Sequence, residues 1–98
     1  MTIKTQKKES SLTIFLEGRL DTNTAPELDE LLKASLEDVT ELVMDLEKLE
    51  YLSSAGLRVL LSAQKTMNKQ GTMVVKNVNE TILEIFEVTG FSDILTVQ

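Results

Sequence analysis

No histidine and no cysteine occur among the 98 residues, and these two absences remove most of the familiar catalytic apparatus. Ser–His–Asp triads, cysteine nucleophiles, zinc sites and most iron sites have no bases or ligands to draw on. No disulfide framework can form, which suits a reducing compartment and points to the cytoplasm. Tryptophan is absent and aromatic residues are 4% of the chain, too few to build a sugar-binding platform. Glycine-rich loops of the dinucleotide or P-loop kind are missing. The run Leu52-Ser53-Ser54-Ala55-Gly56 lacks the first glycine of a nucleophile elbow. No apolar run approaches the ~20 residues that cross a bilayer, and Met1 to Lys8 has no apolar segment of signal-peptide type. Positive charge is in deficit: the net value of −6 argues against nucleic acid and against an anionic membrane surface. A self-contained enzyme is therefore not expected, nor a cofactor or a metal site.

What is present is ordinary for a folded domain. Hydrophobic residues are 42% and charged residues 27%, with no Pro/Gly-rich linker and no internal repeat. A chain of this length can build a single core, so residues 1–98 are expected to form one domain. Asp45, near a strand end, has the look of an aspartate phosphoacceptor. That chemistry needs further carboxylates on a neighbouring strand to hold Mg²⁺, and the first strand offers none. Glu47, Glu50, Asp21, Asp29, Glu30, Glu37 and Asp38 read as solvated surface charges.

The chain is organised around residues 45–61. Leu42-Val43-Met44-Asp45-Leu46 is a short apolar run, as expected of a central strand covered on both faces and ending at Leu46. A short loop should follow, then a helix opened by Ser53 and Ser54 and closed before Gly71. Leu57, Leu60, Leu61 and Gln64 trace its buried stripe, widened by Val59 and Ala63, with Arg58, Ser62, Lys65 and Lys69 opposite. Gly56 leaves room in the first turn for another backbone or a ligand. A serine hydroxyl at a helix start has two readings: a cap for free N–H groups, or a modification site where a phosphate meets the positive helix end.

Elsewhere, Ile3 to Lys8 forms a first strand, and Leu12, Ile14 and Leu16 alternate with Thr13, Phe15 and Glu17 as a second. Gly18 to Asn23 reads as a loop. Thr24 and Glu27 form a capping box for a helix whose inward stripe is Leu28, Leu31, Leu32, Ser35 and Leu36. Thr72 to Lys76 is a β-rich run, and Asn79 caps a third helix ended by Gly90. Hairpin, helix, strand, helix, strand, helix is the order of an α/β domain, a mixed sheet of about four to five strands with packed helices.

Tyr51-Leu52-Ser53-Ser54-Ala55-Gly56-Leu57 resembles the phosphorylation loop of STAS-domain proteins, the bacterial anti-sigma factor antagonists. Gly18-Arg19-Leu20-Asp21 is similar to the Gly-Glu-Leu-Asp turn of that family, and Thr89-Gly90-Phe91 to its Ser/Thr-Gly-Leu. Ser53 stands where the family commonly has Asp, Ala55 where it has Ser or Thr, and Arg19 where it has Glu. The resemblance implies a STAS-like fold over the whole chain and phosphorylation of Ser54 by a partner serine kinase that is also an anti-sigma factor. Phosphorylation would release the partner and a PP2C-type phosphatase would reset the switch. Partner-binding residues would be Asp21, Thr22, Ser53, Ala55, Gly56, Leu57 and Arg58, in a cytoplasmic protein that is monomeric when free. STAS-like domains also serve as unphosphorylated accessory subunits of membrane transport systems, and a nucleotide-binding STAS domain is a third expectation.

Overall fold

In the computed structural model, which describes residues 1–98, the chain runs β1 (Thr2–Lys8), β2 (Ser11–Leu20), α1 (Ala25–Ser35), β3 (Glu41–Leu52), α2 (Ser54–Gln70), β4 (Thr72–Lys76) and α3 (Glu80–Thr89). A 3₁₀ turn, Phe91–Asp93, follows. The four strands lie in the order β1-β2-β3-β4. The first pair is antiparallel and the other two are parallel. Val97 adds a single parallel bridge to Val75 at the β4 edge.

Alternation sets the burial. Leu12, Ile14 and Leu16 of β2 are buried, as are Leu42, Met44 and Leu46 of β3 and Met73 and Val75 of β4. Val43 and Asp45 are only half-buried, so the expected cover on both faces of β3 is not found. The reason is topological. Crossovers from β2 to β3 and from β3 to β4 step the same way across the sheet, and right-handed connections then put α1 and α2 on one face. That helical layer meets the sheet in one cluster of 24 buried residues. Leu28 and Leu32 enter it from α1 and Leu36 from just beyond its end, Leu57, Leu60 and Met67 from α2, and Ile82 and Phe86 from α3.

Both strands that lead to the serines run further than the sequence suggests. β2 continues through Gly18 to Leu20, and β3 continues through Glu47–Tyr51 to Leu52. Register shifts lie between Phe15 and Glu17 and between Gly18 and Arg19, where β3 carries the extra residue. Each bulge leaves two successive β3 side chains outward, Glu47 with Lys48 and Glu50 with Tyr51, so Leu46, Leu49 and Leu52 all face the core. Gly18, at φ 101°, sits in this irregular stretch in a conformation that side chains disfavour.

Candidate functional site

The site is built where β2 and β3 end side by side. Leu20 pairs with Leu52, and the amide of Ser53 donates to the Leu20 carbonyl at 2.9 Å. Asp21 and Ser53 thus leave the sheet as neighbours, each at the head of a helix. Asp21 and Ser54 therefore lie at the same end of the sheet.

Of the two serines, Ser53 is the cap. It has extended backbone, at φ −93° and ψ 175°, and its Oγ accepts from the Gly56 amide at 3.4 Å. Its carbonyl accepts from Leu57 at 2.9 Å. Ser54 is the first helical residue and is exposed, while Ser53 is half-buried. No acidic residue lies in the first turn of α2, so the positive end of the helix dipole beside Ser54 is not answered from within the helix.

Gly56 and Leu57 face inward. A Cβ on Gly56 would lie 2.7 Å from both Leu20 Cγ and Leu52 Cδ1, so the absence of a side chain lets α2 seat against the ends of both strands. Thr22, Pro26, Ala55 and Arg58 instead line a shallow groove of about 270 Å³ between the starts of α1 and α2. Arg58 is exposed.

The capping box expected for α1 does not form. Thr24 has helical backbone and no side-chain cap bond. Its hydroxyl turns back to the strand, donating to the Arg19 carbonyl at 2.7 Å and accepting from the Asp21 amide at 2.9 Å. Asp21 takes over the free amides: its Oδ1 accepts from Asn23 at 3.0 Å and Thr24 at 3.1 Å, and its carbonyl accepts from Ala25 at 2.8 Å. The ionised form is what these donors favour. Partial burial pushes the Asp21 pKa up, but the Thr24 and Asn23 amides, the Thr24 hydroxyl and the Arg19 charge together hold it below the ordinary value. A depressed carboxylate stabilises the fold above its unfolded pKa, and that contribution is lost as pH falls through the folded value. The Asp21 carboxyl ¹³C shift should therefore titrate with a midpoint below 3.8, and a midpoint at or above it would contradict this geometry.

Arg19 and Tyr51 face each other across β2 and β3, and the guanidinium carbon lies 4.2 Å from the ring centroid. Its Nε is 3.8 Å from Asp21 Oδ2. This stacked pair, absent from the sequence reading, follows from the second bulge, which turns Tyr51 outward. Asp45 is occupied otherwise: its oxygens accept from the Glu47 amide and from Asn77 Nδ2, both at 3.0 Å.

An edge of paired strand ends, with a capping serine and an exposed serine opening the next helix, is what the family comparison decides upon: the STAS domain model matches residues 2–98. The chain belongs to the STAS domain family. This STAS domain is 31% identical over 95 residues to the anti-sigma-B factor antagonist of Listeria monocytogenes, covering 95% of this chain and 83% of that protein. It superposes with a TM-score of 0.88 on an anti-sigma factor antagonist from Mycobacterium paratuberculosis, at 24% identity over 98% of this chain and 83% of that one. The Bacillus cell fate determinant SpoIIAA in its phosphorylated form matches with a TM-score of 0.78, at 17% identity over 99% of this chain and 91% of that one. At these identities the two solved structures establish the shared fold.

Proposed function

We propose that this STAS domain is an anti-sigma factor antagonist, a non-catalytic cytoplasmic module whose partner is released by phosphorylation of Ser54. What supports this most is the division of labour between the serines. Ser53 caps α2, so the exposed Ser54 can be modified without unfastening the helix. The likeness to the Listeria antagonist over nearly the whole chain points the same way.

The unphosphorylated face, with Asp21, Thr22, Ser53, Ser54, Ala55 and Arg58 at one end of the sheet, binds an anti-sigma factor that is also a serine kinase. Gly56 and Leu57 act from beneath, by seating the helix. ATP-dependent transfer to Ser54 adds about −1.5 to −2 charges at that face. A loss of about 3 kcal/mol in binding is roughly a hundredfold in affinity, enough to exchange partners without refolding. A PP2C-type phosphatase restores the hydroxyl, and the free protein is a monomer.

Intact-mass spectra of the protein from its own cells should show an added phosphate that disappears in Ser54→Ala. Titration against the cognate anti-sigma kinase should find Ser54→Ala bound like the unphosphorylated protein and Ser54→Asp about a hundredfold weaker. Equal affinity of the two variants would sink the switch.

A further inference from the structure

The last part of the chain carries a charge imbalance that the fold does not answer. From Asn77 to Gln98 there are four carboxylates, Glu80, Glu84, Glu87 and Asp93, and no lysine or arginine. All of them are exposed. The ion pairs of the fold lie elsewhere, Arg19 with Asp21 and Lys33 with Asp29. Within α3, Glu80 precedes Glu84 by four residues and Glu84 precedes Glu87 by three. At those spacings like charges are neighbours on the helix surface and destabilise it. Glu80 suits the positive end of the helix, but Glu87 lies in the last turn, where no basic residue offsets the negative end. By contrast α1 pairs its own surface charges, Lys33 to Asp29 at 3.0 Å.

Exposed apolar side chains accompany these carboxylates. Val88 is 81% and Ile94 47% exposed, the two highest values among the large hydrophobic residues that the fold leaves in solvent. Between them Phe91 is half-buried against the core, and Ile85, one turn before Val88, is half-buried too. Isolated exposed valines are common on protein surfaces. A valine and an isoleucine beside four unpaired carboxylates with no cation in that part of the chain form a different surface.

We propose that the outer face of α3 and the 3₁₀ turn after it dock a basic amphipathic segment of a partner protein. Lysine or arginine side chains of that segment would meet Glu84, Glu87 and Asp93, while its apolar face covers Val88 and Ile94. Docking relieves the repulsion that α3 carries when free, and charge complementarity selects the occupant. An anionic bilayer would be repelled by the same carboxylates. The surface is distinct from the Ser54 site. Asn79, at the start of α3, is anchored to the Leu49 carbonyl at 2.8 Å, and the helix then rises roughly 12 Å to Val88 at ~1.5 Å per residue.

The test is an amide chemical-shift titration of the whole ¹⁵N-labelled protein with a synthetic amphipathic helical peptide of leucine and lysine. Shifts should be confined to α3 and the turn, from Glu80 to Leu95. The Glu84→Lys/Glu87→Lys double variant and, separately, Val88→Ser should each weaken binding about tenfold or more. The double variant should also melt higher than the parent, because its own helix is no longer self-repelling. No shifts, shifts spread over other acidic surfaces, or binding that Val88→Ser leaves unchanged would each overturn the proposal. Ser54→Asp should leave this titration unaltered, so its outcome does not depend on the phosphorylation switch.

Discussion

Gly71→Ala is expected to destabilise the domain by about 2–4 kcal/mol, although it adds a single methyl group. At φ 172° the backbone of Gly71 is extended, so the cost is one of space. A Cβ there would land on the carbonyl oxygen of Thr40, with the Thr40 carbonyl carbon at 2.6 Å and its Cα at 2.8 Å. Backbone cannot swing aside as a side-chain tip can. Thr40 is also held in place: its amide donates to the Ser10 carbonyl and its carbonyl accepts from the Thr72 amide, both at 2.9 Å, next to the Glu41–Thr72 pair that starts the β3–β4 ladder. Reduced freedom of the unfolded chain offsets up to about 1 kcal/mol. For a domain of this size each kcal/mol is worth roughly 4–8 °C, so the melting temperature should fall by about 10–25 °C. Thermal and urea unfolding would measure it, and a loss below about 1 kcal/mol would mean that the Thr40 segment yields.

Gly56→Val should cost about 3 kcal/mol and also disturb the site. The neighbours here are side chains, Leu20 and Leu52, but at 0% and 3% exposure neither has anywhere to go. Gly56→Ala regains about 1 kcal/mol of helix propensity and should end nearer to neutral. With valine, the least costly relief is to lift the first turn of α2 off the strand ends. That turn carries the Ser53 cap and the exposed Ser54. Hydrogen exchange at the Gly56 and Leu57 amides should accelerate well beyond the change in global stability. Partner affinity should drop with Ser54 intact. Exchange that rises no more than global unfolding requires would show that the turn stays seated.

Much of this was legible in the sequence because periodicity reports burial. The alternation of Leu12, Ile14 and Leu16 and the stripe from Leu57 to Gln64 both appear where expected, with Leu61 only half-buried, as do the ends of α2 at Ser53 and Gly71. Leu49 and Leu52 escaped because their three-residue spacing from Leu46 does not fit a strand template. Only bulges reconcile it with a strand, and bulges depend on the partner strand. Thr24 was misread for a similar reason. A capping box is a local pattern, but the Asp21 carboxylate three residues earlier and a strand carbonyl compete for the same groups and prevail. The open face of β3 could not be read from an apolar run, since which face a helix covers is settled by strand order. Ser54 itself was found by motif, and the reason it is free came only with the geometry.

From the Phe15–Asp45 pair to the Leu20–Leu52 pair, β2 advances five residues while β3 advances seven. The two surplus residues are taken up before the chain reaches the serines. Which serine arrives at the mouth of the helix as its stopper, and which is left standing in solvent, is therefore settled by a count made upstream. Ser53 and Ser54 are chemically the same. The bulges act as a reading frame in three dimensions, and they give two identical hydroxyls different work.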